Sequence, residues 1–398
     1  MQNTANNKAL VAILAFGVFG ILNTEMGVVG IVPEVARHYG VSVPDASLLV
    51  SGFALVVAIA APIMPLVFSK INRKTVMLLT LGIFTVCNGA AALAPTFEAL
   101  LALRVIPAAF HPLYTSLALA LASQMGTPEE SAKASSKVFV GVSAGMVLGA
   151  PVSNALAAAI SFEASMAFFA LVTFVALVAT VFLVPTMPVA NPLSYGSQLA
   201  ILKKPLLWAS MLAVIVLNGA MFGFYGFLAD YLESGLMLDA AWVSTMLLAY
   251  GAANIVGNIA AGRLLARIPM RTCVFSPILL LVLFAALYVV SGSSIRGCIM
   301  LALIGIIAGI ANNVNQFMVA TAAPEAPDFA NGLYLTAANA GVTIFTPVLG
   351  CFITAEGAGD SVIGVLILLA ASSLLVAGRT KLQAGIKAHD SIGRNLAN

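Results

Sequence analysis

Three ionisable side chains stand where the chain is otherwise apolar: Glu25, Arg104 and His111. Glu25 lies in ALVAILAFGVFGILNTEMGVVGIV, residues 9–32, whose one polar knot is Asn23-Thr24-Glu25. A run of this length covers a hydrocarbon layer of roughly 30 Å as a helix rising ~1.5 Å per residue. An isolated carboxylate there costs at least ~2.5–3.5 kcal/mol on insertion scales. Glu25 must therefore be protonated, paired or facing water. Arg104 and His111 share the run EALLALRVIPAAFHPLYTSLALALA, seven residues or two helical turns apart and so on one face. Counted from Pro95, Arg104 lies roughly 13 Å below the outer surface; counted back from Pro33, Glu25 lies roughly 12 Å below it. The matching depths predict a direct or water-mediated Glu25–Arg104 pair. Pairing would hold the carboxylate ionised and desolvation would neutralise it, so a switch between the two environments would load and release a proton. His111, whose imidazole can change charge near neutrality, is a second candidate in that relay. The blander roles are a protonated Glu25 that only packs, a neutral hydrogen-bonded His111, and an Arg104 anchored to backbone carbonyls.

What must position these groups is a membrane-spanning bundle. Of 398 residues 61% are hydrophobic and only 8% charged, too few charges to cover the surface of a soluble domain. The net charge of +3 is spread over short loops, which argues against nucleic acid. Cys87, Cys273, Cys298 and Cys351 lie far apart with no C-x-x-C pair, predicting buried free thiols and neither disulfide nor metal. No H-E-x-x-H or G-x-S-x-G run marks an enzyme, and no G-x-x-x-x-G-K-[ST] loop marks a nucleotide site; no cofactor is expected. A receptor would need an output module, and only some twenty residues follow Arg379.

Twelve spans are expected, near residues 9–32, 46–68, 75–94, 98–122, 137–160, 164–184, 207–230, 241–266, 273–291, 297–321, 331–354 and 361–378. With the amino terminus inside, fifteen Lys and Arg fall on the cytoplasmic side, Arg37 and Arg296 fall outside, and Arg104 lies in a span. That bias sets the orientation, and an even number of spans puts both termini in the cytoplasm. The divisions are residues 1–184 as a first six-helix bundle, 185–206 as a cytoplasmic linker rich in proline (with Asn191-Pro192), 207–379 as a second bundle and 380–398 as a tail.

The halves echo each other. Leu22-Asn23 with Met26 recurs as Leu217-Asn218 with Met221, Lys74-Thr75 as Arg271-Thr272, and Gly145 with Pro151 as Gly341 with Pro347, at offsets of 195 to 197. Two copies of a six-span unit are the mark of alternating-access transporters, with a substrate site between the repeats. Pro107 and Pro112 should kink the fourth span and open carbonyls toward a cavity. Gly141, Gly145, Gly149 and Pro151 make a smooth face on the fifth span, and Gly341, Pro347 and Gly350 repeat it on the eleventh. These faces are expected at the contact between halves, as the surface that rocks.

Arg104 in a run ending near Phe110-His111, Gly141-x-x-x-Gly145-x-x-x-Gly149-x-Pro151, and Lys70-x-x-Arg73-Lys74 between spans two and three resemble three signatures of the major facilitator superfamily. They resemble its drug:proton antiporter-1 branch, and Asn23-Thr24-Glu25-Met26-Gly27-Val28-Val29-Gly30 resembles the first span of bacterial sugar-efflux and small-molecule exporters. The loop between spans two and three departs from the pattern, with Pro65 or Leu66 and Lys70 where the family has glycine and aspartate; Gly262-Arg263 and Arg267 keep more of it. The resemblance implies the major facilitator fold, all-α with two pseudo-symmetric six-helix bundles. It implies Glu25 as the proton-coupling acid, Arg104 as its partner, and Gly145, Gly149, Pro151, Arg73 and Arg263 as conformational elements.

Polar stripes in apolar helices supply a candidate cavity wall, because amides left in hydrocarbon cost several kcal/mol. Tyr250, Asn254 and Asn258 run along span eight, Asn312, Asn315 and Gln316 along span ten, and Thr336, Asn339, Thr343 and Thr346 along span eleven. Phe222, Phe224, Tyr225 and Phe227 could offer stacking surface, and Asn23, Tyr114 and Asn218 complete the set. Interhelical hydrogen bonding competes with a substrate role for each single Asn. The expectation is a monomeric, proton-driven exporter of a small neutral solute (sugar, nucleoside or drug) in a bacterial inner membrane, with protons and lipid as its other partners. A proton-coupled uptake symporter shares every buried feature.

Overall fold

In hydrocarbon each backbone N–H and C=O must be satisfied within the chain, so long apolar runs fold as helices. The computed structural model describes residues 2–41, 43–46, 48–189, 195–228, 231–290, 294–356 and 361–397, and no strand occurs among them. Asp230 and Asn191-Pro192 lie outside the described residues, as do the surroundings of Gly350 and the side chains of Lys8, Pro347, Cys351, Lys387 and Arg394. The chain divides into two units, Met1–Tyr195 and Gly196–Asn398.

The first unit contains α1 (Gln2–Gly27), α2 (Leu48–Ala60), α3 (Arg73–Ala91), α4 (Phe97–Ala108), α5 (His111–Ser123), α6 (Pro128–Ala159) and α7 (Phe162–Leu183). The second contains α8 (Pro205–Gly226), α9 (Ala240–Arg267), α10 (Pro269–Val289), α11 (Ser294–Ala322), α12 (Pro327–Glu356) and α13 (Ser361–Ala397). Ten of the described helical stretches are long and apolar enough to cross a membrane, with α4 and α5 counted as one crossing. The shorter apolar α2 and the long α12 occupy the places of spans two and eleven. Each unit thus has six spans, and the protein is an all-α, multi-pass membrane protein.

Proline decides where two spans are interrupted. After Ala60 the chain turns, then resumes as the short helix Met64–Val67, because neither Pro62 nor Pro65 can donate a backbone hydrogen bond. In the fourth span Pro107 and Pro112 do the same: α4 stops at Ala108, the Phe110 N–H closes a turn onto the Pro107 carbonyl at 2.9 Å, and α5 begins at His111.

The two units pair their helices by one scheme. In the first, α1 lies on α6, α3 on α7 and α2 on α4; in the second, α8 lies on α12, α10 on α13 and α9 on α11. First with fifth, third with sixth and second with fourth is the repeat expected from the sequence offset.

Glycine sets how closely the first and fifth spans approach. A Cβ on Gly145 would come 2.7 Å from Leu22 Cβ and 2.8 Å from the Phe19 carbonyl oxygen, and one on Gly141 would collide with the Ala15 carbonyl. Gly341 faces the Ile215 carbonyl in the same way across α12 and α8. The sequence expectation that these glycines lie between the halves is corrected here. They seat α1 on α6 and α8 on α12 inside each unit, because only a bare Cα lets two backbones come so near.

Three boundaries also differ from expectation. α6 starts at Pro128, not near residue 137, because Thr127 and Glu130 form a reciprocal capping box, with Glu130 Oε2 accepting from the Thr127 N–H at 2.8 Å. The expected linker contains the turn of helix Tyr195–Leu199 and the 3₁₀ turn Ala200–Lys203. The last helix continues past residue 378 to Ala397.

Buried apolar side chains fill each unit separately. In the first, Val35, Leu49, Leu100, Phe162 and Phe169 cluster toward one end. In the second, Phe224 packs edge-on against Phe284 at 4.9 Å between centroids, over Leu280, Leu301 and Leu369.

Candidate functional site

Helix ends, more than helix faces, build the polar site of the first unit. α1 ends at Gly27 and gives way to a 3₁₀ turn, Val28–Ile31, so the carbonyls of its last turn are open to side-chain donors. Two donors take them. Arg104 Nη1 donates to the Thr24 carbonyl at 3.1 Å, and Ser153 Oγ donates to the Gly27 carbonyl at 2.6 Å. A cation at this end also complements the helix dipole. Thr24 is held from below as well: its hydroxyl donates to the Gly20 carbonyl at 2.9 Å and accepts from Asn88 Nδ2 at 3.2 Å.

Glu25 sits in the same last turn, where the helix dipole opposes a carboxylate. The break in the fourth span delivers its partner. His111 is the first residue of α5, and its Nε2 lies 3.2 Å from Glu25 Oε2, close enough to form an ion pair though not aligned as a hydrogen bond. The His111 side chain is 7% exposed and that of Glu25 19%, so the pair is neither sealed nor bathed in solvent. Phe53 of α2 closes one side: the Arg104 guanidinium lies 5.0 Å over its ring, and the His111 ring meets its edge at 6.0 Å.

Of the direct and water-mediated Glu25–Arg104 pairs expected, the direct one is therefore corrected. Among the described residues Arg104 has no carboxylate within 4.0 Å; it is anchored to a backbone carbonyl, and Glu25 acts on it only through space. The physical reason is the α1 terminus, whose open carbonyls compete for the guanidinium, while the proline break brings the imidazole to the carboxylate. Arg104 remains wholly buried, with Nε and Nη2 bonded to no protein group.

Two further candidates of this unit are buried. Asn23 is 0% exposed and neither amide atom meets a protein partner; Tyr114 is 0% exposed, with its hydroxyl wedged against Gly17. Gly145 and Gly149 are buried against α1, Pro151 is exposed inside α6, and Arg73 opens α3, with Nη1 3.4 Å from Gln124 Oε1.

In the second unit the carboxamides converge on α11. Asn258 Nδ2 donates to Asn254 Oδ1 at 3.2 Å, and Asn313 Nδ2 donates to Asn258 Oδ1 at 2.7 Å, tying α9 to α11. Asn315 Nδ2 reaches Asn218 Oδ1 at 3.4 Å, and Asn218 Nδ2 donates to the Ala338 carbonyl at 2.9 Å, joining α11 to α8 and α12. Gln316 Nε2 donates to Asn331 Oδ1 at 2.8 Å. Asn312 is buried, Asn339 donates to the Leu335 carbonyl within its own helix, and Thr343 is exposed. Tyr225 and Tyr250 pack ring against ring at 5.5 Å, and Arg263 is exposed on α9.

Several residues escaped the sequence reading, Ser153 among them. Asn313 and Asn331 are partners of singled-out amides on other helix faces, and Asn88 and Phe53 complete the first site; an Asn amid the apolar run of span three was the signal for Asn88. Arg379, assigned to the cytoplasm by its position near a span end, is buried at 1% exposure. Its Nε donates to Ser210 Oγ at 3.1 Å, Nη1 to Gln383 Oε1 at 2.5 Å, and Nη2 to the Met318 carbonyl and Thr321 Oγ1, each at 2.9 Å. It ties α8, α11 and α13 together through neutral acceptors.

Among the described residues no three His, Cys, Asp or Glu side chains gather as a metal site. What the arrangement offers is an acid beside an imidazole, with a fixed positive charge one residue away, inside a membrane bundle.

Comparison with known proteins places that bundle. The chain is 27% identical over 363 residues to the inner membrane transport protein YdhP of Escherichia coli (strain K12), covering 91% of this chain and 93% of that protein. It is 23% identical over 336 residues to a probable sugar efflux transporter of Helicobacter pylori (strain ATCC 700392 / 26695), covering 84% and 86%. Its fold matches the crystal structure of the E. coli fucose:proton symporter FucP with a TM-score of 0.75 at 15% identity, over 93% of this chain and 98% of that one. With the Major Facilitator Superfamily profile matching residues 14–347, the chain belongs to that superfamily and is a transporter, not an enzyme.

Proposed function

We propose that the protein is a proton-coupled antiporter of the bacterial inner membrane that exports a small polar or amphipathic organic solute by alternating access. The 3.2 Å approach of His111 to Glu25 carries this reading. Each group, alone and charged, stands at the helix end whose dipole opposes it: the carboxylate in the last turn of α1, the imidazolium in the first turn of α5. Side by side they offset each other's charge, and moving either helix end separates them. Separation exposes the carboxylate to a new environment, which is the condition for taking up a proton on one side and releasing it on the other. Arg104, fixed on the Thr24 carbonyl, supplies the constant positive field beside Glu25.

The second unit supports the choice of a neutral cargo. Apart from Arg379, whose donors are taken by Ser210, Gln383, Met318 and Thr321, its described buried polar groups are mainly amides, hydroxyls and phenols, with the Tyr225–Tyr250 pair as stacking surface. The candidates for substrate contact are Asn23, Tyr114, Asn218, Tyr225, Tyr250, Asn254, Asn258, Asn312, Asn315, Gln316, Asn339 and Thr343. Efflux in the name of the H. pylori relative points the same way. Proteoliposomes loaded with a pH dye and offered neutral sugars, nucleosides and uncharged antibiotics test the reading. Native protein should dissipate an imposed proton gradient when its substrate moves the opposite way, and Glu25→Gln should abolish that coupling. Proton and solute moving together would mean uptake by symport, and normal coupling in Glu25→Gln would remove Glu25 from the mechanism.

A further inference from the structure

At the cytoplasmic end of the second unit is a groove whose lining contains none of the candidate proton-coupling or substrate residues. Leu264 from the end of α9, Ile268 just beyond it, Arg271, Phe275 and Leu279 from α10, and Ile307 from α11 line a space of about 240 Å³. Its wall is almost entirely carbon, and the Thr272 hydroxyl within it is already spent on the Ile268 carbonyl at 2.9 Å. Phe275 is 61% and Leu279 43% exposed on a helix that crosses the membrane, so the groove opens sideways into hydrocarbon.

The one charged residue in its lining, Arg271, sits at the cytoplasmic mouth, and Arg267 immediately precedes the lining residue Ile268 in the chain. Arg271 is in the first turn of α10, eight residues or ~12 Å of helix from Leu279. Arg267 is in the last turn of α9. Both are exposed, and neither has an ion pair or hydrogen bond with a described residue.

We propose that this groove holds one anionic phospholipid of the cytoplasmic leaflet, with an acyl chain between α9, α10 and α11 and the phosphate on Arg271 and Arg267. A soluble anion would satisfy the arginines but leave the slot empty. A zwitterionic lipid would fill the slot but leave net positive charge at headgroup depth. An anionic lipid alone answers both features, and basic pockets between spans on the cytoplasmic side are where such headgroups bind.

Native mass spectrometry of the full-length protein in mild detergent, titrated with phosphatidylglycerol or phosphatidylcholine, tests this without reference to transport. The native chain should retain one phosphatidylglycerol in preference to phosphatidylcholine, and glycerol 3-phosphate in excess should not displace it. Arg267→Gln with Arg271→Gln should weaken that retention roughly 10- to 30-fold. Leu279→Trp, which fills the slot from an exposed position, should weaken it too, while Lys381→Gln, an exposed cytoplasmic charge elsewhere, should not. Thermal unfolding of each variant checks that the fold persists. Equal retention of both lipids, displacement by glycerol 3-phosphate, unchanged retention in the double variant, or an equal loss in Lys381→Gln would each overturn the proposal.

Discussion

At the scale of single residues, the chemistry rests on where charge is placed relative to helix ends. His111 faces Glu25 at 3.2 Å and Phe53 on its other side, so an isosteric amide should preserve the packing but cannot carry a proton. His111→Asn is expected to bind solute normally while flattening the pH dependence of transport, read as initial rates across pH at a fixed proton gradient. An unchanged profile would make the imidazole a spectator. Arg379 works differently, as a structural knot whose donors reach Ser210, Gln383, Met318 and Thr321. Arg379→Met would leave those buried acceptors without donors, at a cost of about 2–4 kcal/mol. A lower midpoint of thermal unfolding in detergent, with proton coupling of the surviving protein intact, is the expected result. The sequence singled out Glu25, Arg104 and His111 because charge inside an apolar run is costly wherever the run folds. It missed Arg379 because a basic residue at a span end ordinarily lies in solvent.

At the scale of elements, proline and glycine decide geometry that hydrophobicity leaves open. Pro107 and Pro112 turn one apolar run into two helices, and that break brings His111 to the carboxylate. The glycines of α6 then bring α1 near enough for Ser153 to reach the Gly27 carbonyl. The two kinds of glycine can be told apart by substitution. Gly82 of α3 has open space around the position of a Cβ, so Gly82→Ala should be neutral or stabilise by up to ~1 kcal/mol through helix propensity. Gly145→Ala, with Leu22 Cβ at 2.7 Å and the Phe19 carbonyl at 2.8 Å, should destabilise by about 1–3 kcal/mol. The same unfolding assay compares them, and equal effects would mean that the α1–α6 seam can relax. The glycine spacing was legible in the sequence, but its partner was not, because a smooth helix face fits a neighbour in its own bundle as well as one across a cleft.

At the scale of the whole molecule, the pattern of positive charge fixes orientation. With Arg296 outside and Lys381 inside, single cysteines in a background cleared of Cys87, Cys273, Cys298 and Cys351 should react from opposite sides. A membrane-impermeant maleimide applied to whole cells should label Arg296→Cys and spare Lys381→Cys, both exposed positions, and inverted vesicles should reverse the pattern. Labelling of Lys381→Cys in intact cells would invert the assigned topology. The recurrence of one helix-pairing scheme in the two units follows from the duplicated sequence, since equivalent small and polar residues dictate equivalent neighbours.

Composition and hydropathy by themselves determined that this chain is a helical membrane protein with charge kept inside its spans, because the free energy of placing polar groups in hydrocarbon depends on sequence alone to first order. Which charges meet was decided by tertiary structure. Glu25 pairs with His111, and Arg104 caps α1, because the ends of helices, set by proline breaks and side-chain caps, determine which donors and acceptors are left open and which neighbours come within reach of them.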